Sequence, residues 1–456
     1  MVVRPGLQNR RLPVGKTVVI GGGVSGLAAA YTLESAGADC LVLEKNNFSG
    51  GRVRGATRDG FILDLGAQFF FTRYHSTFDL MRKLGIAEEL VWFKGPVSLL
   101  RDGRLNTLYP GVRHNLRHPL DNFRFRAVSI RSIPRVVKMV LSLVNLRNKL
   151  DFDDPLKAIE LDNISFADYG RRNFGEELLE YCLQPIASTL TLGEPEDISA
   201  AYGLALAWYF IPGLGTTRRG MGLLAESLSE SVSGLRLDTE ATRIVVEGKK
   251  VKGVEVRNGN KVEFIESDSV VCTTTASAAS RLLRDLPDAM TDVLAGIRYS
   301  ACAHVMLALP GKLAGDIYAI AIPRKEGLCL SGVTDDSNKV PGYAPPGAGL
   351  VHAFTFGDFA RRMLEQTDGE IQDRVTRDIQ TFIPGFPDKP IFCEIFRWTE
   401  ALCLKSPGQI ASVERLKTGL RAYDGLFLAG EYFGMPSVEA AIHSGVQAAE
   451  RLLESS

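Results

Sequence analysis

The sequence predicts an α/β fold in which a nucleotide-binding domain is built from separate segments of the chain and is interrupted by an α+β insert of mixed sheet and helices. Three observations support this prediction. A strand–glycine loop–helix–strand pattern occupies residues 16–46, an alternating meander occupies residues 241–275, and a second strand–glycine loop–helix pattern occupies residues 423–453. The chain of 456 residues also exceeds what one hydrophobic core usually serves, so two domains are expected.

The first pattern contains a G-x-G-x-x-G motif formed by Gly21, Gly23 and Gly26. The motif lies directly after an apolar run and directly before an alanine-rich helical stretch, which is the order found in a dinucleotide-binding unit. Gly21 permits the tight turn, Gly23 lets a pyrophosphate approach the backbone, and Gly26 lets the helix lie close to the strand. A second apolar run ends at Glu44, whose carboxylate can accept hydrogen bonds from a ribose hydroxyl. The loop therefore predicts a Rossmann-like unit, with NAD and FAD both open at this point.

The segments after the loop change their hydrophobic period several times. A helix is predicted near Thr77–Leu84, and residues 150–231 are mostly helical, with apolar residues at spacings of three and four. The meander consists of three alternating runs that lead into a buried strand at Ser269–Cys272. Further strands are predicted at residues 299–309, 318–333, 349–356 and 391–397.

These changes of pattern indicate that the two domains are interleaved along the chain. Strand–loop–helix patterns at both ends suggest that the nucleotide-binding half is split. We place the nucleotide-binding domain at residues 1–90, 218–290 and 400–456, and a substrate-binding domain at residues 91–217 and 291–399.

The composition argues against several classes of protein. Basic and acidic residues number 53 each, so no basic excess indicates a nucleic-acid partner. The seven cysteines are widely spaced and form no C-x-x-C pair, which predicts neither a disulfide framework nor a metal site and favours a cytoplasmic location. The sequence shows neither a signal-peptide core nor an uninterrupted apolar stretch of about 18 residues. We therefore expect a soluble or peripherally membrane-associated protein.

Three further motifs resemble signatures of the superfamily of flavin-containing amine oxidases, protoporphyrinogen oxidases and phytoene desaturases. They are "GGRV" at Gly50–Val53, "DLGAQ" at Asp64–Gln68 and "GLFLAGEYFGMPSVEAAIHSG" at Gly425–Gly445. The resemblance implies that the nucleotide is FAD. Together with the glycine loop it implies these cofactor-binding residues: Gly21, Gly23, Val24, Ser25, Gly26, Glu44, Lys45, Gly51, Arg52, Gly66, Ala67, Gln68, Ala241, Thr242, Gly430, Glu431, Ser437, Val438 and Ala441.

Each motif has a chemical role under this resemblance. The guanidinium of Arg52 can neutralise the pyrophosphate, and Glu431 can bind a ribityl hydroxyl. The helix that starts at Ser437–Ala441 would point its positive end at the flavin N1/C2=O edge. Gly66 and Ala67 would let the isoalloxazine ring approach without hindrance from side chains.

Other parts of the chain complete the expectation for the cofactor. Backbone around Ala241 and Thr242 is expected to hold the adenine. Cys403 does not have the spacing after Trp398 that covalent attachment would need, so FAD is expected to be bound non-covalently. No second glycine motif for NAD(P)H is present, so electrons are expected to pass to oxygen or a quinone.

The resemblance leaves amines, porphyrinogens and polyenes as substrate classes. Amine oxidases usually place a lysine near flavin N5 on the strand that here reads "SACAHVMLAL", where this chain has His304. They also commonly have an aromatic side chain before the last helix, where this chain has Ser437. We therefore expect hydride removal from carbon of a large apolar substrate, protoporphyrinogen-like or isoprenoid, with a flavin amine oxidase as the alternative.

Two interpretations stay open for His304. If its side chain faces inward it can accept a proton or orient a water molecule beside N5, and is then the candidate catalytic residue. If it faces outward it is an ordinary structural histidine.

An alternative from another class is a non-catalytic binding protein resembling the GDP-dissociation inhibitors of small GTPases, which share this fold without flavin catalysis. The intact glycine loop, Glu44, Arg52 and Glu431 favour the enzyme.

Residues 113–150 form a basic segment with nine Lys or Arg residues and one acidic residue. Helical spacing places Ile133, Val137 and Leu141 near one face and Arg135 and Lys138 near the other. Such a pattern suits a membrane surface or the entrance for an apolar substrate, and equally a helix of the substrate domain with a solvated basic face.

Overall fold

The computed structural model describes residues 17–93, 95–109, 125–211, 213–259 and 261–455. The first 16 residues of the predicted nucleotide-binding domain and residues 113–124 of the basic segment lie outside the described residues.

The strands are, in chain order, β1 (Thr17–Ile20), β2 (Cys40–Leu43), β3 (Gly55–Arg58), β4 (Phe61–Asp64), β5 (Phe70–Phe71), β6 (Leu90–Phe93), β7 (Val97–Arg101), β8 (Arg104–Leu108), β9 (Leu214–Thr217), β10 (Leu235–Arg236), β11 (Glu240–Glu247), β12 (Lys250–Asn258), β13 (Lys261–Glu266), β14 (Ser269–Cys272), β15 (Arg298–Tyr299), β16 (Cys302–Leu309), β17 (Ala319–Ala321), β18 (Leu330–Asp335), β19 (Gly349–Thr355), β20 (Phe392–Trp398), β21 (Cys403–Leu404) and β22 (Leu426–Leu428).

The α-helices are α1 (Val24–Ser35), α2 (Ser76–Lys83), α3 (Ile133–Leu146), α4 (Phe166–Phe174), α5 (Glu176–Leu178), α6 (Gln184–Thr191), α7 (Ala200–Phe210), α8 (Gly222–Glu230), α9 (Ala276–Leu282), α10 (Asp288–Ala295), α11 (Gly357–Met363), α12 (Asp368–Gln380), α13 (Gln409–Leu420) and α14 (Val438–Ser455).

A five-stranded parallel sheet is assembled from distant parts of the chain. Its spatial order is β10-β2-β1-β14-β22, and every neighbouring pair is parallel. The five strands fall within the three segments predicted for the nucleotide-binding domain. The carboxyl ends of parallel strands meet at one edge of a sheet, so the glycine loop after β1 and the acid after β2 lie at the same edge.

Both faces of this sheet are covered, which explains the continuous apolar runs of its strands. Val19 and its neighbours on one face pack against α1 and α14 through Ala29 and Ala449. On the other face, Val18 packs with Ile244 of the antiparallel meander. The meander has the predicted order β11-β12-β13.

A second, seven-stranded sheet has the order β20-β16-β19-β18-β17-β7-β8. It is antiparallel except for the pair β17–β7. The prediction of one strand over residues 318–333 was wrong, because this region forms two strands, β17 and β18. Pro323 cannot donate to a sheet and Gly327 has a positive φ of 71°, so the chain turns between them.

Helix α3 leaves its apolar face in solvent. Ile133 and Val137 are each 52% exposed and Leu141 is 56% exposed, while Leu143 on the opposite side is buried. The helix therefore has the amphipathic pattern that the sequence predicts, but the apolar stripe of Ile133, Val137 and Leu141 does not pack against the core.

The carboxylate of Glu439 on α14 caps helix α2. Its Oε1 accepts hydrogen bonds from the backbone N–H groups of His75 and Ser76, at 2.8 and 2.6 Å. Its Oε2 accepts from the N–H and the hydroxyl of Thr77, at 2.9 and 2.6 Å. The first N–H groups of a helix have no partner within it, so this buried carboxylate joins α2 to the terminal helix.

Candidate flavin-binding site

The glycine loop has the geometry that a pyrophosphate needs. Gly21 has a φ of 107°, and a Cβ on Gly26 would overlap the carbonyl oxygen of Gly21, so α1 lies close to β1. A Cβ on Gly23 would meet no described atom within 4 Å, which leaves open space beside the start of α1. The hydroxyl of Ser25 in the first turn is buried and has no hydrogen-bond partner among the described residues.

The loop that contains "GGRV" lies directly against the glycine loop. Gly50 donates its N–H to the carbonyl of Gly22 at 2.8 Å, and a Cβ on Gly51 would lie 3.3 Å from the Cα of Gly23. The structure therefore brings both glycine-rich motifs to one place.

The acid after β2 is fixed by its neighbours. Glu44 Oε2 accepts the N–H of Gly22 at 2.8 Å, and its Oε1 accepts the N–H and the side-chain amide of Asn46 at 2.9 and 2.6 Å. Its backbone carbonyl accepts the N–H of Thr239, so the chain enters β11 beside this acid. Lys45 is exposed on the surface of the same edge.

The predicted adenine residues lie at the start of β11. The register of β11 against β12 shifts between Ala241 and Arg243. Thr242 therefore stands outside the regular pairing, and its hydroxyl donates to the carbonyl of Glu255 at 3.2 Å.

Arg52 and Glu431 come from opposite ends of the chain and form an ion pair of 2.8 Å between Nη2 and Oε2. Arg52 Nη1 also donates to the carbonyl of Ala401 at 3.3 Å. Burial opposes the charge of Arg52, but the carboxylate of Glu431 outweighs it and raises the pKa of Arg52 above its usual value. The other carboxylate oxygen of Glu431 is buried without a partner among the described residues. One acceptor thus remains for a hydroxyl group.

Backbone contacts with Arg52 and hydrogen bonds within the segment fix the "DLGAQ" segment. A Cβ on Gly66 would overlap the carbonyl oxygen of Arg52, and Ala67 donates its N–H to the same carbonyl at 2.8 Å. Gln68 Nε2 donates to the carbonyls of Asp64 and Gly66 at 2.8 and 2.9 Å. The Oε1 atom of Gln68 is buried without a partner in the described part of the chain.

Ser437 caps the terminal helix. Its Oγ accepts the N–H of Ala440 and donates to the carbonyl of Met435, both at 3.0 Å. Val438 and Ala441 lie in the first turn of α14, and Gly430 precedes Glu431 at the end of β22. The positive end of this helix is thus fixed near the ion pair that contains Glu431.

His304 faces inward on β16 and is 1% exposed. Its Nδ1 lies 3.1 Å from the carbonyl oxygen of Leu65, and its Nε2 lies 2.9 Å from Nδ1 of His352. Burial, and secondly His352, lower the pKa of His304 to about 3. Both ring nitrogens are already in hydrogen bonds, so this geometry does not support a direct role as proton acceptor for a substrate.

The sequence prediction missed His352, Asp336 and Lys339, which are fully buried beside His304. One signal was present: His352 lies within the largely apolar run "GLVHAFT", and a strand that is buried on both faces must bury its imidazole. The pairing of β16 with β19 brings the two histidines together, and this pairing of distant strands could not be predicted from the local sequence.

FAD fits the residues that are present. The buried side-chain atoms without described partners include Ser25 Oγ, Gln68 Oε1 and Glu431 Oε1, and all three belong to residues that the sequence predicts to bind the cofactor. A buried polar group without a partner is costly, so a ligand that satisfies all three is favoured.

The parallel sheet, the glycine loop and the capped terminal helix define a dinucleotide-binding protein of the flavoprotein class. The family described as flavin containing amine oxidoreductase matches residues 24–453, and the chain belongs to this family. The family consists of FAD-dependent oxidoreductases. This match favours the enzyme over the GDP-dissociation-inhibitor-like binding protein.

Several known proteins are similar over most of their length. Coproporphyrinogen III oxidase of Bacillus subtilis is 23% identical, with 94% of this chain and 96% of the relative covered. Chloroplastic protoporphyrinogen oxidase 1 of Spinacia oleracea is 22% identical, with 96% and 84% covered. The structure of cyclohexylamine oxidase from Brevibacterium oxydans has a TM-score of 0.73 at 18% identity, covering 97% of this chain and 99% of that one, which shows the shared fold.

None of the described helices is both long enough and apolar enough to cross a membrane.

Proposed function

We propose that this protein removes hydride from carbon of a large apolar substrate, protoporphyrinogen-like or isoprenoid, and passes the electrons to oxygen or a quinone. The observation that carries the proposal is the replacement of a lysine by the buried His304, whose ring nitrogens are both in hydrogen bonds. A small amine would find no free base on this strand. The similarity to coproporphyrinogen and protoporphyrinogen oxidases supports the tetrapyrrole class.

FAD, when bound non-covalently, supplies a two-electron acceptor. The residues of this chain would position it: the loop at Gly23 would admit the pyrophosphate, and the oxygen of Glu431 that is not paired with Arg52 would accept a ribityl hydroxyl. The N-terminus of α14 would favour negative charge on a bound ring that faces it. Gly66 and Ala67 let the ring approach the backbone.

The aromatic side chains after this segment suit a broad apolar molecule. Phe71 packs edge-to-face against Phe152 and Tyr209, at centroid distances of 5.8 and 6.1 Å. Phe69 packs against Phe71 at 5.4 Å and is only half-buried. Phe71, Phe152 and Tyr209 are buried in the core, so the half-buried Phe69 is the member of this group that could contact an apolar molecule.

The test measures anaerobic reduction of the bound flavin, which is monitored by the loss of its visible absorbance. Coproporphyrinogen III, protoporphyrinogen IX and ζ-carotene are compared with cyclohexylamine and putrescine. We expect fast bleaching by a porphyrinogen or the polyene and none by the amines. Fast reduction by an amine alone would favour the amine oxidase alternative.

We also propose that α3 docks onto a membrane surface rich in anionic lipid, where such substrates dissolve. Its exposed face carries Ile133, Val137 and Leu141, and the exposed Arg131 and Arg135 flank them. An aliphatic stripe beside basic residues fits the interface of an anionic bilayer.

Flotation with phosphatidylglycerol vesicles tests this docking, with phosphatidylcholine vesicles as the comparison. Val137→Asp should abolish flotation. Val262→Asp is the matched control, because Val262 is 76% exposed on β13, far along the chain from α3. Equal flotation of both variants would remove α3 from the docking surface.

A further inference from the structure

A network of buried side chains surrounds the start of the "DLGAQ" segment. Lys339 Nζ donates to Asp64 Oδ2 at 2.8 Å and to Asp336 Oδ2 at 3.1 Å, and all three side chains are fully buried. His352 Nε2 lies 3.7 Å from the same oxygen of Asp336. His352 in turn contacts His304, which reaches the carbonyl of Leu65. This series of contacts therefore starts at the side chain of Asp64 and ends at the backbone carbonyl of the next residue, Leu65.

The direction of these hydrogen bonds follows from the carbonyl group at one end. The Leu65 carbonyl can only accept, so His304 Nδ1 must carry the hydrogen. The indole Nε1 of Trp398 donates to the same oxygen at 3.0 Å, which occupies both of its lone pairs.

The tautomer of His352 follows from the tautomer of His304. Burial lowers the pKa of both His304 and His352, so each ring is neutral and carries one N–H. Since His304 Nδ1 is protonated, its Nε2 accepts, and His352 Nδ1 must donate to it. The remaining Nε2 of His352 has no hydrogen-bond partner among the described residues. Only this pair of tautomers makes both the hydrogen bond to Leu65 and the hydrogen bond between the imidazoles, and it leaves the 3.7 Å approach of His352 Nε2 to Asp336 without a hydrogen bond.

We propose that His304 and His352 are positioning residues that hold the Leu65 carbonyl, and through it the backbone of Gly66 and Ala67, in the orientation that receives the flavin ring. The inference rests on the proposed function, because that function places the ring over Gly66 and Ala67. It assigns to His304 a role through the backbone instead of a direct role in proton transfer.

Asparagine and glutamine separate this role from a general packing role. The amide nitrogen of asparagine takes the place of Nδ1 of histidine, and that of glutamine takes the place of Nε2. His304→Asn keeps the donor to Leu65, and His304→Gln loses it. His352→Asn and His352→Gln keep and lose the donor to His304 in the same way.

The experiment measures FAD affinity by fluorescence quenching and the visible circular dichroism of the bound flavin. Loss of one buried hydrogen bond should weaken FAD binding about tenfold in both glutamine variants and change the dichroism. Both asparagine variants should stay within about threefold of the wild type, with its spectrum. Equal behaviour of asparagine and glutamine at both positions would overturn the proposal.

Hydrogen–deuterium exchange of the peptide over residues 61–70, in the protein without FAD, gives a readout that does not depend on the cofactor. We expect faster exchange in the glutamine variants than in the asparagine variants. Equal exchange in all four variants contradicts the proposal, whatever FAD does. Failure of the wild type to bind FAD would count against the proposed function alone.

Discussion

Gly23→Val should remove FAD binding and leave the folded protein intact. A Cβ at this position meets no described atom within 4 Å, and the φ of −77° and ψ of 173° are open to any residue. Gly23 is the N-cap of α1, where replacement of glycine by an apolar residue costs at most about 1 kcal/mol. The same empty space is where the pyrophosphate must approach the backbone, so the valine side chain occupies the ligand position.

The effect can be measured as a change in ligand-induced stabilisation. FAD at 100 times its Kd stabilises a protein that binds it by about 2.7 kcal/mol. At roughly 2–4 °C per kcal/mol for a large domain, this raises the Tm of the wild type by roughly 5–10 °C. The variant should unfold near the Tm of the wild-type protein without FAD and should show no increase when FAD is added.

Gly369→Val is the matched control, because its Cβ also meets no described atom within 4 Å and it lies in α12, remote in sequence from the loop. The control should keep the full increase in Tm. Stoichiometric flavin in the Gly23 variant would refute the placement of the pyrophosphate. A large loss of stability without FAD would show that the space beside Gly23 is not open.

Three further predictions follow from single contacts. Glu431→Ala should weaken FAD binding by about 10–150-fold in equilibrium titration, since a hydrogen bond to a charged group contributes about 1.5–3 kcal/mol. Glu439→Gln should lower the free energy of unfolding by about 1–3 kcal/mol in urea, because an amide cannot accept all four hydrogen bonds that cap α2. Burial, then Glu439 and Asp151, raise the pKa of Asp153 to about 7, so native stability should fall as the pH rises from about 4 to about 7, and Asp153→Asn should lose this dependence.

Each of these has an outcome that contradicts it. Unchanged FAD affinity would remove Glu431 from the site. Glu450→Gln, an exposed change on the same helix as Glu439, should leave stability unaltered, and an equal loss in both variants would deny the capping role. For Asp153, the free energy of unfolding is measured at pH 5 and pH 8. If it changes by the same amount in Asp153→Asn as in the wild type, the pH dependence belongs to other groups.

The sequence was informative wherever the chemistry depends on neighbours along the chain. Gly21, Gly23, Gly26 and the acid at Glu44 belong to one short strand–loop–helix–strand unit, and the structure has this unit as β1, the glycine loop, α1 and β2. The resemblance likewise placed Ser437 at the start of a helix, and α14 begins at the next residue.

Contacts between distant segments could not be predicted in the same way. Arg52 and Glu431 were expected to bind different parts of FAD, but their mutual ion pair depends on how β22 docks against β14. His304 was left open between an inward and an outward orientation, because a strand that is buried on both faces has no alternation to read. The apolar stripe of α3 was visible in the sequence, but its exposure depends on which face of the helix packs against other elements.

The order in which the parallel sheet is made has a consequence for synthesis of the protein. Its central strand, β1, is made long before its edge strand, β22. The nascent chain therefore holds the apolar strand β14 without its neighbour until β22 has been synthesised, and the site lacks Glu431 and the helix α14 until then. Flavin uptake should consequently begin only after β22 and α14 have left the ribosome, and a chaperone that shields apolar strands should raise the yield of yellow protein.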